Sequence, residues 1–335
     1  MVIQDFGISF IELFLDPRKR IYVGYLLCAF AIALFWLKFF KKLSIAQAFS
    51  KIFDKKVFFS TSSKSDLKVY FINRMFTFFI SPLLLTQIIV ATFLFNQLLK
   101  IEWLSPASGY AVSKSFVVIT YTSTVFLLDD FTKYIVHRWM HKFPILWALH
   151  KVHHTAEQLT PITIFRTHPF EGIVFSLRSA FTQGLAISCF FYFFGSSVSL
   201  VTVLGANVLV FAFNVCGSNL RHSHIGIQYW SWLEYILISP AQHQLDHSIA
   251  EEHYDKNFGA TLAVWDWVFG SLHHSIDTDS LVLGVKREDV NDHQSIYSLY
   301  ILPIVDMGEA MKELLWTMVN FRLKITQKVK RRDKA

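Results

Sequence analysis

His137-Arg-Trp-Met-His141-Lys-Phe-Pro-Ile-Leu-Trp147-Ala-Leu-His150-Lys-Val-His153-His154 gathers five histidines directly downstream of a long apolar run. The chain holds 14 histidines, and eleven of them fall between His137 and His253. Spacings of three and four residues stack side chains on one face of a helix. Imidazoles clustered in that way are poor core material, because each buried ring nitrogen needs a partner. They suit a transition-metal site, for which neutral imidazole is the commonest protein ligand.

Working outward, the chain is 53% hydrophobic with 34 Phe and has a mean hydropathy of +0.38. Apolar runs at residues 21–37, 75–96, 115–136, 173–194 and 196–215 are long enough to cross a bilayer, the third interrupted by acids near its end and the last two separated by Gly195. The expected fold is an all-α integral membrane protein. It has about three transmembrane helices plus a re-entrant or transmembrane helical hairpin, under a cytoplasmic histidine-rich cap. Three regions follow: 1–114, a membrane region with two spans and a basic loop; 115–275, the histidine-box core; and 276–335, an interfacial helix over 306–322 with a basic tail. Orientation rests on loop charge. Residues 1–20 carry Arg18, Lys19 and Arg20, whereas the 41–71 loop carries seven lysines and is assigned to the cytoplasm, which places every histidine group on that same face.

Other features exclude more than they assign. Asp5 and Glu12 interrupt the N-terminus and its basic cluster follows the apolar stretch, so it reads as an interfacial helix or an ordinary extension rather than a signal peptide. Cys28, Cys189 and Cys216 offer neither a disulfide framework nor a Cys-x-x-Cys site. The net charge of +7 collects in the 41–68 stretch and the 324–334 tail, which points to anionic lipid rather than nucleic acid.

The candidate ligands are His137, His141, His150, His153, His154, His222, His224, His243, Asp246 and His247. The group 243–247 repeats the spacing of 150–154 with Asp246 in the second place, where a carboxylate oxygen can still bind iron. The i, i+2 pair His222 and His224 suits a loop, and at least one of the two is expected to face the metal. Behind the ligands, Asp130 is an acid close to the bilayer, expected to orient an imidazole or else to pair with Lys133. Tyr134 shares its helical stripe. His168 before Pro169, His253 and Asn257 complete the supporting set. About nine ligands are too many for one structural zinc and suit two ions that keep an open position, as in iron and O2 chemistry; zinc could occupy the same cage in purified samples.

These boxes resemble the fatty acid hydroxylase and sterol desaturase superfamily of membrane di-iron oxygenases. The similarity lies in His137/His141, His150/His153/His154, His222 with His224, and His243/His247. It extends to Asp130 with Tyr134, Trp147, His168-Pro169, Asn257-Phe258-Gly259 and Trp265-Asp266, covering roughly residues 115–275. The resemblance implies two iron ions, O2 as co-substrate, and hydroxylation or desaturation of a lipid C–H bond. It also implies an external donor such as a cytochrome b5 or ferredoxin with its reductase, since the chain shows no fused haem, flavin or nicotinamide fingerprint. One departure is Asp246, where the family usually has histidine, so a degenerate member that binds metal or lipid without turnover is the alternative. A metal transporter would spread its polar residues along the membrane path, and a two-histidine haem site would leave most of these side chains unexplained.

Overall fold

The computed structural model describes residues 11–80, 83–104, 112–195, 198–203, 206–286 and 292–332. Among them the regular structure is helical apart from one two-residue antiparallel pair, β1 (Thr202–Val203) and β2 (Ala206–Asn207). The main helices are α1 (Val23–Phe39), α2 (Ile45–Ile52), α3 (Lys55–Phe58), α4 (Thr61–Ile80), α5 (Gln87–Leu98), α6 (Lys114–Lys142), α7 (Pro144–His154), α8 (Pro169–Phe194), α9 (Val208–Val215), α10 (Pro240–Asp246), α11 (Val264–Val268) and α12 (Leu302–Arg332).

An apolar bundle carries the site at one end. α8 packs between α5 and α6. At the α5 contact Gly184 lies so close that a Cβ there would stand 2.8 Å from the Val90 side chain. The outward faces of the bundle remain apolar, with Ile88, Phe93, Phe116, Ile119, Phe181 and Phe191 exposed. Such a belt is rare on a water-soluble surface and ordinary against lipid.

Two of the expected spans are not single helices. The 75–96 run contains Pro82, which lacks a donor and disfavours helix before it; α4 ends at Ile80 and α5 starts at Gln87. Within the 196–215 run the described residues form β1, β2 and the eight-residue α9, so the second leg of the expected helical hairpin is a strand pair followed by a short helix. β-branched Val198, Val201, Thr202 and Val203 are weak helix formers, and Thr122 of α6 receives the Val201 N–H on its Oγ1 and the Asn207 amide on its carbonyl. Among the described residues, α8 alone is long and apolar enough to cross a membrane; α1 and α5 are apolar but shorter.

The 21–37 run does form a helix, α1, but it packs along the histidine-bearing half. Ala29, Ala33 and Leu37 share a buried cluster with Leu220, Ile225 and Ile227. Arg20, before the helix, donates to the Ser218 carbonyl at 3.1 Å, and Lys41, after it, pairs with Asp277 at 2.8 Å. Both ends are therefore tied to the same half of the molecule, whereas the loop-charge argument assigns them to opposite membrane faces. The C-terminal helix is longer than expected, running through Arg332, and it packs on α7, with Lys151 paired to Asp306.

Candidate metal centre

Four short segments deliver the imidazoles. α6 ends at a Phe143-Pro144 corner, with Pro144 at the first position of α7, where its missing N–H costs nothing. The corner folds the His137/His141 face back onto His150, His153 and His154. A turn of 3-10 helix, Ser218–His222, brings in His222; Gly217 precedes it with φ +90, a conformation that side chains resist. α10 opens with a capping box in which Ser239 and Gln242 satisfy each other's backbone N–H groups, and it presents His243, Asp246 and His247 inward.

The result is two adjoining clusters, each with its ligand atoms within 4.8 Å of one another. One is His137, His141, His150 and His154; the other is His153, His222, His243 and His247. Facing Nε2 atoms lie 3.2 Å apart for His150 and His154, and 3.1 Å apart both for His153 and His222 and for His222 and His243. Two imidazoles on one ion at ~2.0–2.1 Å stand roughly 2.9–3.4 Å apart, so these separations fit shared ions. Asp246 turns its carboxylate into the first cluster, with Oδ2 3.5 Å from His137 Nε2 and Oδ1 3.5 Å from His141 Nε2. Buried side-chain atoms without hydrogen-bond partners gather here: His141 Nε2, His243 Nδ1, both nitrogens of His247 and both oxygens of Asp246. Orphaned atoms of this kind are costly unless a cation collects them, so the donor set fits a pair of metal ions.

Three imidazoles have their tautomer fixed from behind. His150 Nδ1 donates to Glu171 Oε1 at 2.8 Å, His137 Nδ1 to the Phe258 carbonyl at 2.9 Å, and His153 Nδ1 to the Arg166 carbonyl at 3.2 Å. Each donation leaves the Nε2 lone pair free toward the cluster. Burial pushes His150 and His153 down to about 3 and holds His154, His222, His243 and His247 well below the ordinary range, so these rings are neutral, as ligation requires.

Several expected residues take other positions. His224 is not with the clusters: its Nε2 donates to the Lys51 carbonyl at 2.7 Å and its ring meets Phe58, because the 3-10 turn ends at His222 and the chain turns extended at Ser223. Asp130 does not orient an imidazole, nor does it pair with Lys133. It accepts from the Thr261 and Leu262 N–H groups and Trp265 Nε1 at 2.9–3.1 Å, while Asp129 pairs with Lys133 and Arg178. Tyr134 is bonded to Ser271 and Arg138. Asn257, in the left-handed region at φ +58, bonds the Gln242 carbonyl and the His273 N–H. Asp130, Tyr134 and Asn257 thus all hold the 257–271 segment, which in turn offers the Phe258 carbonyl to His137. His168 caps α8 and reaches the Tyr300 carbonyl, and His253 bonds Ser248. The residues missed were Glu171 and Arg166. The signal for Glu171 was the one applied to Asp130, an acid beside a membrane-length apolar run; Glu171 lies in the first turn of α8.

Two cavities reach the centre. One, of about 500 Å3, meets His137, His150, His153, His222 and His243 beneath walls that include Phe126, Phe175, Val210 and Phe213. The other, of about 330 Å3, approaches His141, His154 and Asp246 past Trp147, Tyr254 and Lys286.

Residues 122–271 match the fatty acid hydroxylase family. The human (Homo sapiens) alkylglycerol monooxygenase is 26% identical over 191 residues, 57% of this chain and 36% of that protein. The Xenopus tropicalis alkylglycerol monooxygenase is 30% identical over 147 residues, 44% of this chain and 29% of that protein. The ornithine lipid hydroxylase OlsE of Rhizobium tropici is 23% identical over 160 residues, 48% of this chain and 44% of that protein. The matched segment thus spans about a third of the alkylglycerol monooxygenases' length. No solved structure matches significantly.

Proposed function

We propose, from the match of residues 122–271 to the fatty acid hydroxylase family, that this protein is a membrane oxygenase that hydroxylates a lipid C–H bond at a pair of iron ions. The observation that carries this reading is the meeting of two four-histidine clusters with one apolar-walled cavity. The names of the relatives, a monooxygenase and a hydroxylase, favour hydroxylation over desaturation. One ion falls to His137, His141, His150, His154 and Asp246, the other to His153, His222, His243 and His247. Bound iron would supply O2 activation, which no side chain here can provide.

The chain's own part is positioning and exclusion of water. Glu171, the Phe258 carbonyl and the Arg166 carbonyl hold three imidazoles with Nε2 forward. Phe126, Phe175 and Val210 give a lipid chain an apolar wall beside the centre and keep water from it. Electrons come from an external donor such as a cytochrome b5 or ferredoxin with its reductase, and the centre lies on the cytoplasmic face. The test is iron content after anaerobic, iron-supplemented purification, followed by reduction under 18O2 with a lipid extract. Two irons per chain and an 18O-labelled lipid alcohol are expected. A chain that takes up no iron overturns the reading.

A further inference from the structure

Two arginines face the 500 Å3 cavity without a carboxylate partner among the described residues. Arg221 is 6% exposed; its Nε donates to the Ser218 carbonyl at 3.2 Å and its guanidinium carbon stands 5.1 Å from the Phe213 ring centre. Its terminal nitrogens donate to no described residue. Arg20 donates to that same Ser218 carbonyl at 3.1 Å, and its Nη2 lies 3.4 Å from His222 Nδ1. Two guanidinium groups thus converge on one carbonyl oxygen, both permanently charged.

The carboxylates of this cavity are already committed. Asp130, whose charge reaches Arg221, accepts from Thr261, Leu262 and Trp265. Asp129 is paired with Lys133 and Arg178, and Glu171 with His150. Converging, desolvated like charges are unfavourable until an anion joins them, and paired guanidinium forks match the oxygens of phosphate or carboxylate. The opposite walls, Phe126, Phe175 and Val210, accept hydrocarbon.

We infer that Arg20 and Arg221 form a headgroup subsite for the phosphate or carboxylate of a single-chain amphiphile. Since Arg20 touches His222, a ligand of the second cluster, the chain carbons presented to the centre are those nearest the headgroup rather than those near the methyl end. The position of attack rests on the hydroxylase reading; the headgroup preference does not.

Displacement of a fluorescent acyl probe from metal-free, full-length protein in neutral detergent reads that preference without turnover. The competitors are 1-O-hexadecylglycerol 3-phosphate, 1-O-hexadecylglycerol and inorganic phosphate. The phosphate amphiphile should displace the probe at about tenfold lower concentration than its neutral counterpart, as a charge-assisted hydrogen bond predicts. Inorganic phosphate should not compete. Arg20→Met and Arg221→Met should bring the two lipids level, while Arg221→Lys should retain part of the preference. Equal displacement by both lipids in the wild type overturns the subsite and needs no variant to fold. So does a preference that survives both methionine variants, or inorganic phosphate competing as well as the amphiphile, which would mark a bare anion site. Iron content of a parallel, anaerobic and iron-supplemented preparation of the same protein separates the two readings. Preference without iron keeps the subsite and removes the hydroxylase, and two irons without preference do the reverse.

Discussion

Asp246 stands among imidazoles with neither oxygen hydrogen-bonded, an arrangement a buried carboxylate tolerates only when a cation lies between. Asp246→Ala is therefore expected to lower iron content from two to about one per chain, and Asp246→His to restore it; elemental analysis decides, and two irons in the alanine variant would remove Asp246 from the ligand set. Glu171 acts through His150. Glu171→Ala should weaken metal binding by roughly 10–100-fold, with Glu171→Gln milder because the amide oxygen still accepts from Nδ1. Chelator competition measures both, and unchanged affinity in the alanine variant would make the contact incidental. At this scale the sequence was most legible where spacing and chemistry coincide, as in 137/141 and 150/153/154. It was least legible where the partner is a backbone carbonyl, as with Phe258 and Arg166, because a carbonyl leaves no residue-type signal. His224 shows the remaining failure: a histidine beside a ligand looks the same in sequence whichever way the chain turns it.

α7 carries three of the eight clustered histidines, and its far end is held by one side chain. Arg166, fully buried, donates to the Val152 carbonyl, Thr155 Oγ1, the Ser62 carbonyl, Asp66 Oδ1 and Gln294 Oε1 at 2.6–3.2 Å. It thereby ties α7 to α4 and to the chain before α12. Arg166→Met leaves Asp66 buried and unpaired, so a loss of about 3–5 kcal/mol is expected. A fall in Tm in detergent would show it, and a melting curve matching the wild type would contradict it. Element type was readable from the apolar runs wherever helix propensity persisted, as in α1, α6 and α8. Continuity was not readable, because a run of hydropathy records burial or lipid contact and is blind to the break between Ile80 and Gln87 and to the strand pair that precedes α9 in the 196–215 run.

Taken whole, the molecule encloses a set of neutral imidazoles that titrate near 6.5 once the chain unfolds. In the folded, metal-free chain burial pushes them down, His150 and His153 to about 3. Below pH 6.5 the unfolded state therefore takes up protons that the folded state refuses. The metal-free protein should lose stability as pH falls from about 6.5 toward 3, by up to ~1.4 kcal/mol per pH unit for each imidazole. Melting curves between pH 7 and 5 test this, and a flat profile would mean that the folded cage accepts protons.

The two clusters also differ in how much chain each one spans. His137, His141, His150 and His154 come from a single helical corner, whereas His153 must wait for His222, His243 and His247, on the far side of α8 and the strand pair. During synthesis the first four are complete while the ribosome is still making the apolar helix that follows, and the second four close only after that helix has been laid down and the chain has returned. The centre is thus built in a set order, one half local and early, the other non-local and late, with Asp246 arriving beside His247 to join the half that formed first.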